Sequence, residues 1–247
     1  MTQSRSRARI GVLVPFTNTN LEPDLWLMAP PGVSFYVARL GGYDADEIPD
    51  DAQMQGLGAS DLTEPLDLLG GVFPDVILYG CTSATLTHGT AFDRDLAQTI
   101  RARTQAASVT AAGALSHALT TLGVSRIGFA SPYVAAINDK AVGFLADEGF
   151  ETVQRSEMAE TLDNTGQGAL TPDRVQALGL GADHAEAEAI VLSCTDMRSV
   201  ETAAALEQAT GKPVITSNQA MLYQALQLAQ IPDPLSGFGQ LLERPRL

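Results

Sequence analysis

The sequence predicts an α/β fold of two pseudo-symmetric Rossmann-like lobes, each a parallel sheet flanked by helices, with a candidate site between them. Short β-branched runs alternate with longer helical patterns, which is typical of parallel sheets with helical crossovers. The strand candidates are near-continuous apolar runs, as expected where helices cover both faces of a sheet. Short motifs of the first half recur in the second. The 247 residues, 45% of them hydrophobic, suffice for one large domain or two small ones.

The apolar runs predict six strands, and the patterns between them predict five helices. The strands span residues 10–14, 33–39, 76–79, 126–129, 190–193 and 213–216. The helices span residues 93–104, 112–122, 134–148, 200–210 and 219–230. Further helices are expected to start near Asp61, in an Asp-Leu-Thr-Glu segment, and at Thr171, where Pro172 suits the first turn. Gly123 provides a C-cap for the helix before it.

Two motifs occur twice, in the same order and at similar spacing. Ile10-Gly-Val-Leu-Val-Pro15 recurs as Ile127-Gly-Phe-Ala-Ser-Pro132. Ile77-Leu-Tyr-Gly-Cys81-Thr82 recurs as Ile190-Val-Leu-Ser-Cys194-Thr195. The chain is therefore expected to consist of two related lobes.

The repeat suggests where the lobes begin and end. We expect an N-terminal lobe at residues 1–122, with the tail 226–247 packing back on it, and a C-terminal lobe at residues 123–225. Open α/β sheets bind ligands at the carboxyl ends of their strands. Two such lobes facing each other would place equivalent strand ends around one cleft.

Charge and hydropathy exclude several classes of function. Fifteen basic residues against 29 acidic ones give a net charge of −14, which lacks the cationic surface that nucleic-acid binding needs. No apolar run approaches the 18 or so residues of a membrane span. The basic N-terminus leads directly into a six-residue apolar run, which is too short for a signal-peptide core. We therefore expect a cytoplasmic protein, in which a structural disulfide would be unusual.

Cys81 and Cys194 are the residues that carry most of the functional signal. Each follows an apolar strand and precedes small polar residues and a helical pattern. Backbone N–H groups of such a turn point toward the sulfur and are expected to favour the thiolate. Either cysteine alone could equally be a small buried hydrophobe. Two thiols at repeat-equivalent strand ends would instead lie on opposite walls of one cleft, which suits acid and base catalysis on the two faces of one carbon.

Further motifs surround the cysteines. They are Val14-Pro-Phe-Thr-Asn18-Thr-Asn20-Leu-Glu22-Pro, Gly80-Cys81-Thr-Ser83, Ser131-Pro-Tyr133 with Asn138, and Ser193-Cys194-Thr195. Together they resemble the aspartate/glutamate racemase superfamily, specifically its branch of maleate cis-trans isomerases and arylmalonate decarboxylases. The resemblance covers nearly the whole chain and is not specific for a substrate.

The resemblance implies a role for each cysteine. In maleate isomerases the residue matching Cys81 is the nucleophile and the residue matching Cys194 is the general acid/base. Addition of the Cys81 thiolate to the alkene leaves a single bond that can rotate before elimination. Arylmalonate decarboxylases lack the cysteine that matches Cys81, so its presence here argues against plain decarboxylation. A two-base amino-acid or hydroxy-acid racemase or epimerase and a non-catalytic small-molecule binder stay open as alternatives.

Other residues are candidates for binding a small carboxylate substrate. The resemblance implies this role for Asn18 and Tyr133, and for Asn164 in the turn-rich segment 163–168. Thr82, Ser83 and Thr195 directly follow the sulfurs and could act through a backbone N–H or a hydroxyl, although such residues also cap helices.

Three further residues have no assigned position relative to the cleft, and neither a metal nor a cofactor is expected. Asn218, Phe16 and Tyr43 could reach the cleft or serve only local packing. The histidines His88, His117 and His184 have no metal-ligand spacing, and no dinucleotide or phosphate-binding motif occurs. A homo-oligomer is expected, with neither nucleic acid nor membrane as a partner.

Overall fold

The computed structural model describes residues 6–41 and 48–246, which form two four-stranded parallel sheets. The N-terminal sheet has the order β2-β1-β3-β4 and the C-terminal sheet the order β6-β5-β7-β8. The strands are β1 Ala8–Pro15, β2 Val33–Leu40, β3 Val76–Tyr79, β4 Ala107–Thr110, β5 Arg126–Ser131, β6 Glu151–Glu157, β7 Ala189–Leu192 and β8 Val214–Thr216. The predicted α/β class with two parallel sheets is confirmed.

Helices connect the strands and cover both sheets. They are α1 Leu21–Leu27, α2 Asp51–Gly58, α3 Thr63–Gly70, α4 Thr82–Thr87, α5 Gly89–Thr104, α6 Ala111–Leu122, α7 Ala135–Asp147, α8 Asn164–Gly168, α9 Pro172–Gly181, α10 Val200–Thr210, α11 Ser217–Leu228 and α12 Gln240–Glu243. Gly123 ends α6 with φ +72°, as its C-cap prediction requires. Among the helices of the described ranges, none is long and apolar enough to cross a membrane.

The repeated motifs occupy equivalent places in the two sheets. The first motif lies on β1 and β5, which are the second strands of their sheets, and the second motif lies on β3 and β7, which pair with them. The glycine of the first motif allows close packing: a Cβ on Gly128 would lie 2.0 Å from the carbonyl oxygen of Ala182. The two copies of each motif therefore occupy equivalent positions in the two sheets, and Cys81 and Cys194 follow equivalent strands.

Two strands were missed because they lack a continuous apolar run. β4 is only four residues long, with the sequence Ala-Ser-Val-Thr. β6 lies at the edge of its sheet, and its sequence Glu-Thr-Val-Gln-Arg-Ser-Glu is polar and mostly half-buried. An edge strand covers less apolar surface, so the pattern that identifies central strands does not apply to it.

The core continues from one sheet to the other through α6 and α11. A single cluster of buried side chains contains Val12 and Val76 of the N-terminal sheet together with Phe129 and Val191 of the C-terminal sheet. The C-terminal segment contacts both halves: Asp233 pairs with Arg7 at 2.5 Å, while the backbone N–H of Gln240 donates to Glu207 at 3.0 Å. The sheets are thus held in a fixed relation, which positions their facing strand ends. The lobe boundaries at residues 122 and 225 stay a prediction.

Candidate active site

A small cleft lies where the carboxyl ends of strands from both sheets meet. Its empty space is about 370 Å³ even with open solvent included, which is at the low end for ligand pockets and suits a small substrate. The described residues that line it are Pro15, Thr17, Asn18, Pro49, Met54, Cys81, Ser83, Tyr133, Asn164, Gln167, Cys194, Thr195 and Asp196. Both cysteines are free thiols, so the disulfide alternative is excluded.

Cys81 is the N-cap residue of α4, and Gly80 alone separates it from the end of β3 at Tyr79. Its side chain is only 6% exposed, and its sulfur lies 3.7 Å from the Ser83 hydroxyl. Hydrogen bonds from the backbone N–H groups of Ala84 and Ser83 lower the pKa of the thiol, but burial outweighs them and raises the pKa overall. The expected N–H groups are therefore present, whereas the expected net preference for a thiolate was wrong.

Cys194 follows β7 and is 3% exposed. The backbone N–H of Asp196 donates to its sulfur at 3.3 Å, and the thiol donates to Gln167 Oε1 at 3.9 Å. Burial, reinforced by the charge of the Asp196 carboxylate, raises its pKa to about 12. The helix expected after this cysteine begins only at Val200, so the sulfur receives its hydrogen bond from a turn rather than from a helix N-terminus.

Tyr133 lines the cleft together with both cysteines. Burial raises the pKa of its hydroxyl well above the usual value, and negative charge on either sulfur raises it further. The hydroxyl hydrogen-bonds to Cys194. Asn138 on α7 holds the Tyr133 loop, because its amide donates to the Tyr133 carbonyl at 3.0 Å. Tyr133 is therefore a neutral donor placed between the two thiols.

Asn18 and Thr195 join the two sheets at the cleft. The Asn18 amide donates to the Thr195 hydroxyl at 3.1 Å, and that hydroxyl donates to the Gly80 carbonyl at 3.0 Å. Asn18 also acts as a turn residue, since its Oδ1 accepts the N–H of Leu21 at 2.9 Å. Asn18 therefore stabilises a turn and lines the cleft at the same time.

Some of the other predicted site residues line the cleft, and others lie behind its wall. Ser83 lines it, and so does Asn164, the first residue of α8. Thr82 is behind the wall, where its hydroxyl donates to Ser217 at 3.0 Å. Asn218 is also behind the wall: its amide donates to the Thr195 carbonyl at 3.2 Å, and the cap of α11 is Thr216 instead. Phe16 is exposed and outside the lining set, and Tyr43 lies outside the described residues.

Sequence reasoning missed four polar or flexible lining residues, Thr17, Met54, Gln167 and Asp196. Gln167 lies in the turn-rich segment that pointed to Asn164, and Asp196 is two residues from Cys194, so proximity to the motifs was the only signal. The lining residues of the described chain include no Lys, Arg or His. His88 hydrogen-bonds to the Ala84 carbonyl, stacks on Phe92 and is not among the residues that line the cleft. Within the described ranges, no group of three His, Cys, Asp or Glu residues could hold a metal ion.

The buried carboxyl group of Asp24 lies behind the cleft wall and is connected to it through Asn218. Asp24 of α1 accepts a hydrogen bond of 2.7 Å from the amide of Asn218, which in turn holds the Thr195 carbonyl. Burial raises the pKa of Asp24 to about 7. The hydrogen bond that Asp24 accepts from Asn218 lowers this pKa but offsets only part of the effect of burial. The neutral acid is thus the form that this environment favours.

We expect the protein to lose stability as the pH rises toward 8, and Asp24→Asn to reduce that loss. A pKa raised by folding means that the native state binds more protons than the unfolded chain, so stability is full below the unfolded pKa and is lost as pH passes the folded pKa of about 7. Asp24 should account for about 2 kcal/mol of the decline in unfolding free energy between about pH 5 and pH 8. Urea unfolding across that range measures it.

The matched control for this prediction is Asp67→Asn on the surface. Asp67 is paired with Arg103, which lowers its pKa, so its loss should leave the decline in place. An Asp24→Asn protein with the same pH slope as the wild type would contradict the prediction.

Two facing α/β sheets with a thiol after the equivalent strand of each are the arrangement that the resemblance to the aspartate/glutamate racemase superfamily implies. The family model for arylmalonate decarboxylase matches residues 10–242, and the chain belongs to this family. It is 28% identical to the maleate isomerase of Nocardia farcinica over 96% of both chains. It is 27% identical to the arylmalonate decarboxylase of Bordetella bronchiseptica over 88% of this chain and 85% of that protein.

Solved structures of the Nocardia farcinica isomerase share the fold. The structure bound to TRIS superposes with a TM-score of 0.87 at 26% identity, covering 96% of this chain and 98% of that one. A cysteine-to-serine mutant of the same isomerase, with the same score and identity, carries a covalently bound succinylcysteine intermediate.

Proposed function

We propose that the protein is a cofactor-independent cis-trans isomerase of a small dicarboxylate, converting maleate to fumarate with Cys81 as nucleophile and Cys194 as general acid/base. One observation carries the proposal: two free, buried thiols at equivalent strand ends line the same small cleft. The similar isomerase that holds a succinylcysteine supports a covalent route through a cysteine.

Neutral donors bind the substrate carboxylates in this proposal. Asn18, Asn164 and the Tyr133 hydroxyl line the cleft, while Ser83 offers a hydroxyl beside the Cys81 sulfur. Fixed donors stabilise the charge that develops on a carboxylate during addition without the cost of reorientation. The roles of these residues, of Thr195 at the wall and of Thr82 behind it stay predictions.

In the proposed reaction, the two cysteines are the only groups that exchange bonds or protons with the substrate. Cys81, having lost its proton to solvent, forms a C–S bond to one alkene carbon, and the π electron pair takes the proton of Cys194 at the other carbon. The remaining single bond rotates. The Cys194 thiolate then removes a proton from that carbon, the electron pair re-forms the alkene in the trans geometry, and the Cys81 thiolate leaves.

The proposal is tested by incubating the purified full chain with maleate and following its ultraviolet absorbance and the appearance of fumarate by NMR. We expect stoichiometric conversion of maleate to fumarate without added metal or cofactor. Absence of fumarate at enzyme concentrations that suffice for single turnover would overturn the proposal.

The same two thiols suit a two-base racemase, in which one removes a proton from a carbon and the other returns one to the opposite face. The same preparation, incubated with small chiral amino and hydroxy acids in deuterium oxide, would then incorporate deuterium at Cα and change the optical rotation. Release of carbon dioxide from an arylmalonate would instead indicate decarboxylation. The cytoplasmic location and the homo-oligomer expected from the sequence stay predictions.

A further inference from the structure

The Asp196 side chain joins the two halves of the protein beside the cleft. Its Oδ1 accepts the backbone N–H of Thr19 at 2.8 Å, the backbone N–H of Asn20 at 3.1 Å and the Asn20 amide at 2.9 Å. Thr19 and Asn20 belong to the loop between β1 and α1, whereas Asp196 belongs to the loop after β7. One carboxylate oxygen therefore fixes a loop of the opposite sheet.

That loop carries Asn18, whose side chain lines the cleft. The Asn20 amide also donates to the Gly168 carbonyl at 3.0 Å, which ties the loop to α8. On its other side the loop is held by Arg39, which donates to the Asn18 carbonyl at 2.8 Å. Asp196 and Arg39 thus restrain the loop from two directions, together with the hydrogen bond from the Asn18 amide to the Thr195 hydroxyl.

Asp196 also acts on Cys194 through two groups of opposite effect. Its backbone N–H donates to the sulfur at 3.3 Å, which favours a thiolate, whereas its carboxylate lines the same cleft and repels one. The other titratable groups that act on Cys194 are the Tyr133 hydroxyl and Cys81. The lining residues of the described chain include no cation, so hydrogen bonds from the Asp196 N–H and the Tyr133 hydroxyl are what oppose the carboxylate at the Cys194 sulfur.

We propose that Asp196 is a positioning residue with two effects: its carboxylate fixes the loop that places Asn18, and its charge keeps the Cys194 thiol protonated and ready to donate. In the proposed isomerisation, the acid that delivers a proton to the carbanion must enter the cycle protonated. Three N–H donors of the opposite sheet hold this carboxylate, whose own pKa burial raises to about 6, so that it is charged at neutral pH. Its charge adds to burial in holding the proton on Cys194, and it acts in the same direction on the Cys81 thiol.

Asp196→Asn removes the charge and keeps an oxygen that accepts the loop N–H groups, while Asp196→Ala removes both. The charge is tested in a Cys81→Ser background, where Cys194 is the one cysteine of the sequence left to react. We expect iodoacetamide to alkylate Cys194 about three- to tenfold faster at a fixed alkaline pH after Asp196→Asn, since removing a like charge lowers a pKa by about one unit and thiolate reactivity falls only partly with pKa.

The matched control is Asp93→Asn, which neutralises another buried carboxyl, on α5, outside the cleft lining. It should leave the alkylation rate of Cys194 unchanged. A rate for Asp196→Asn within twofold of the Cys81→Ser parent would overturn the charge effect. Alkylation needs no substrate, so this result is independent of whether maleate is turned over.

The positioning effect is tested by hydrogen exchange at the Thr19 and Asn20 amides. We expect Asp196→Ala to speed exchange of both amides by at least about tenfold, and Asp196→Asn to do so less, because the asparagine oxygen still accepts. With maleate as substrate, KM should rise more for Asp196→Ala than for Asp196→Asn. Both variants lack the negative charge, so this difference measures the effect of the hydrogen bonds to the loop. Equal exchange in both variants and the wild type would overturn the positioning effect even if the protein is an active isomerase.

Discussion

Replacing Cys81 by serine is expected to lower kcat for maleate isomerisation by at least about 1,000-fold, because the substitution removes the only group proposed to attack the alkene. The hydrogen bonds from Ser83 and Ala84 that favour a thiolate cannot ionise a hydroxyl, whose pKa lies far higher. The substitution is nearly isosteric at a buried site, and a serine oxygen can still hydrogen-bond to the Ser83 hydroxyl. Steady-state rates with maleate, together with the melting temperature, measure the effect.

The melting temperature of Cys81→Ser should stay close to that of the wild type, so that the loss of rate is chemical. Ser116→Ala, a buried polar substitution on α6 away from the cleft, is the matched control and should keep wild-type kinetics. A Cys81→Ser enzyme that retains a tenth of the wild-type rate would show that another group starts the reaction.

The location of the two thiols followed from the sequence because the repeat placed them after equivalent strands. Apolar runs on β1, β3, β5 and β7 are strong signals, since helices bury both faces of these strands. Once the strands are paired, the topology alone brings their carboxyl ends together. This reasoning needs no knowledge of side-chain contacts, and it located both thiols correctly.

The electrostatics of the site did not follow from the sequence. The N–H groups near Cys81 were expected from its position before a helix, but the burial that outweighs them depends on elements distant in sequence. Asp196 lies two residues after Cys194, but its role cannot be predicted from that position, because its partners Thr19 and Asn20 precede it by more than 170 residues and come from the other sheet. Local patterns carry no information about such a contact.

Asn218 and Thr82 illustrate the same limit. Both follow strands at points where a side chain can turn toward the cleft or away from it. In the structure both turn away, Asn218 toward Asp24 and Thr82 toward Ser217. The position of a strand end limits the candidate cleft residues to a few. The packing of α11 and α4 determines which of their side chains face the cleft.

Replacing Cys194 by serine is expected to leave addition possible and to block its completion, so that a covalent adduct accumulates on Cys81. Addition needs a proton at the neighbouring carbon, and water can supply it slowly in the variant. The return step needs a base that removes a proton from carbon, and a serine hydroxyl at this position cannot act as that base. We expect kcat to fall by at least about 1,000-fold and intact-protein mass spectrometry to show a gain equal to one maleic acid.

The adduct distinguishes the two sulfurs more sharply than rates do, because both substitutions abolish turnover. Under the same incubation, Cys81→Ser should gain no mass, and peptide mapping of Cys194→Ser should place the added group on Cys81. An adduct on Cys194 in the Cys81→Ser protein would reverse the two roles. No adduct in either variant would instead favour proton exchange at one carbon, since a two-base racemase needs both thiols and forms no bond between sulfur and carbon.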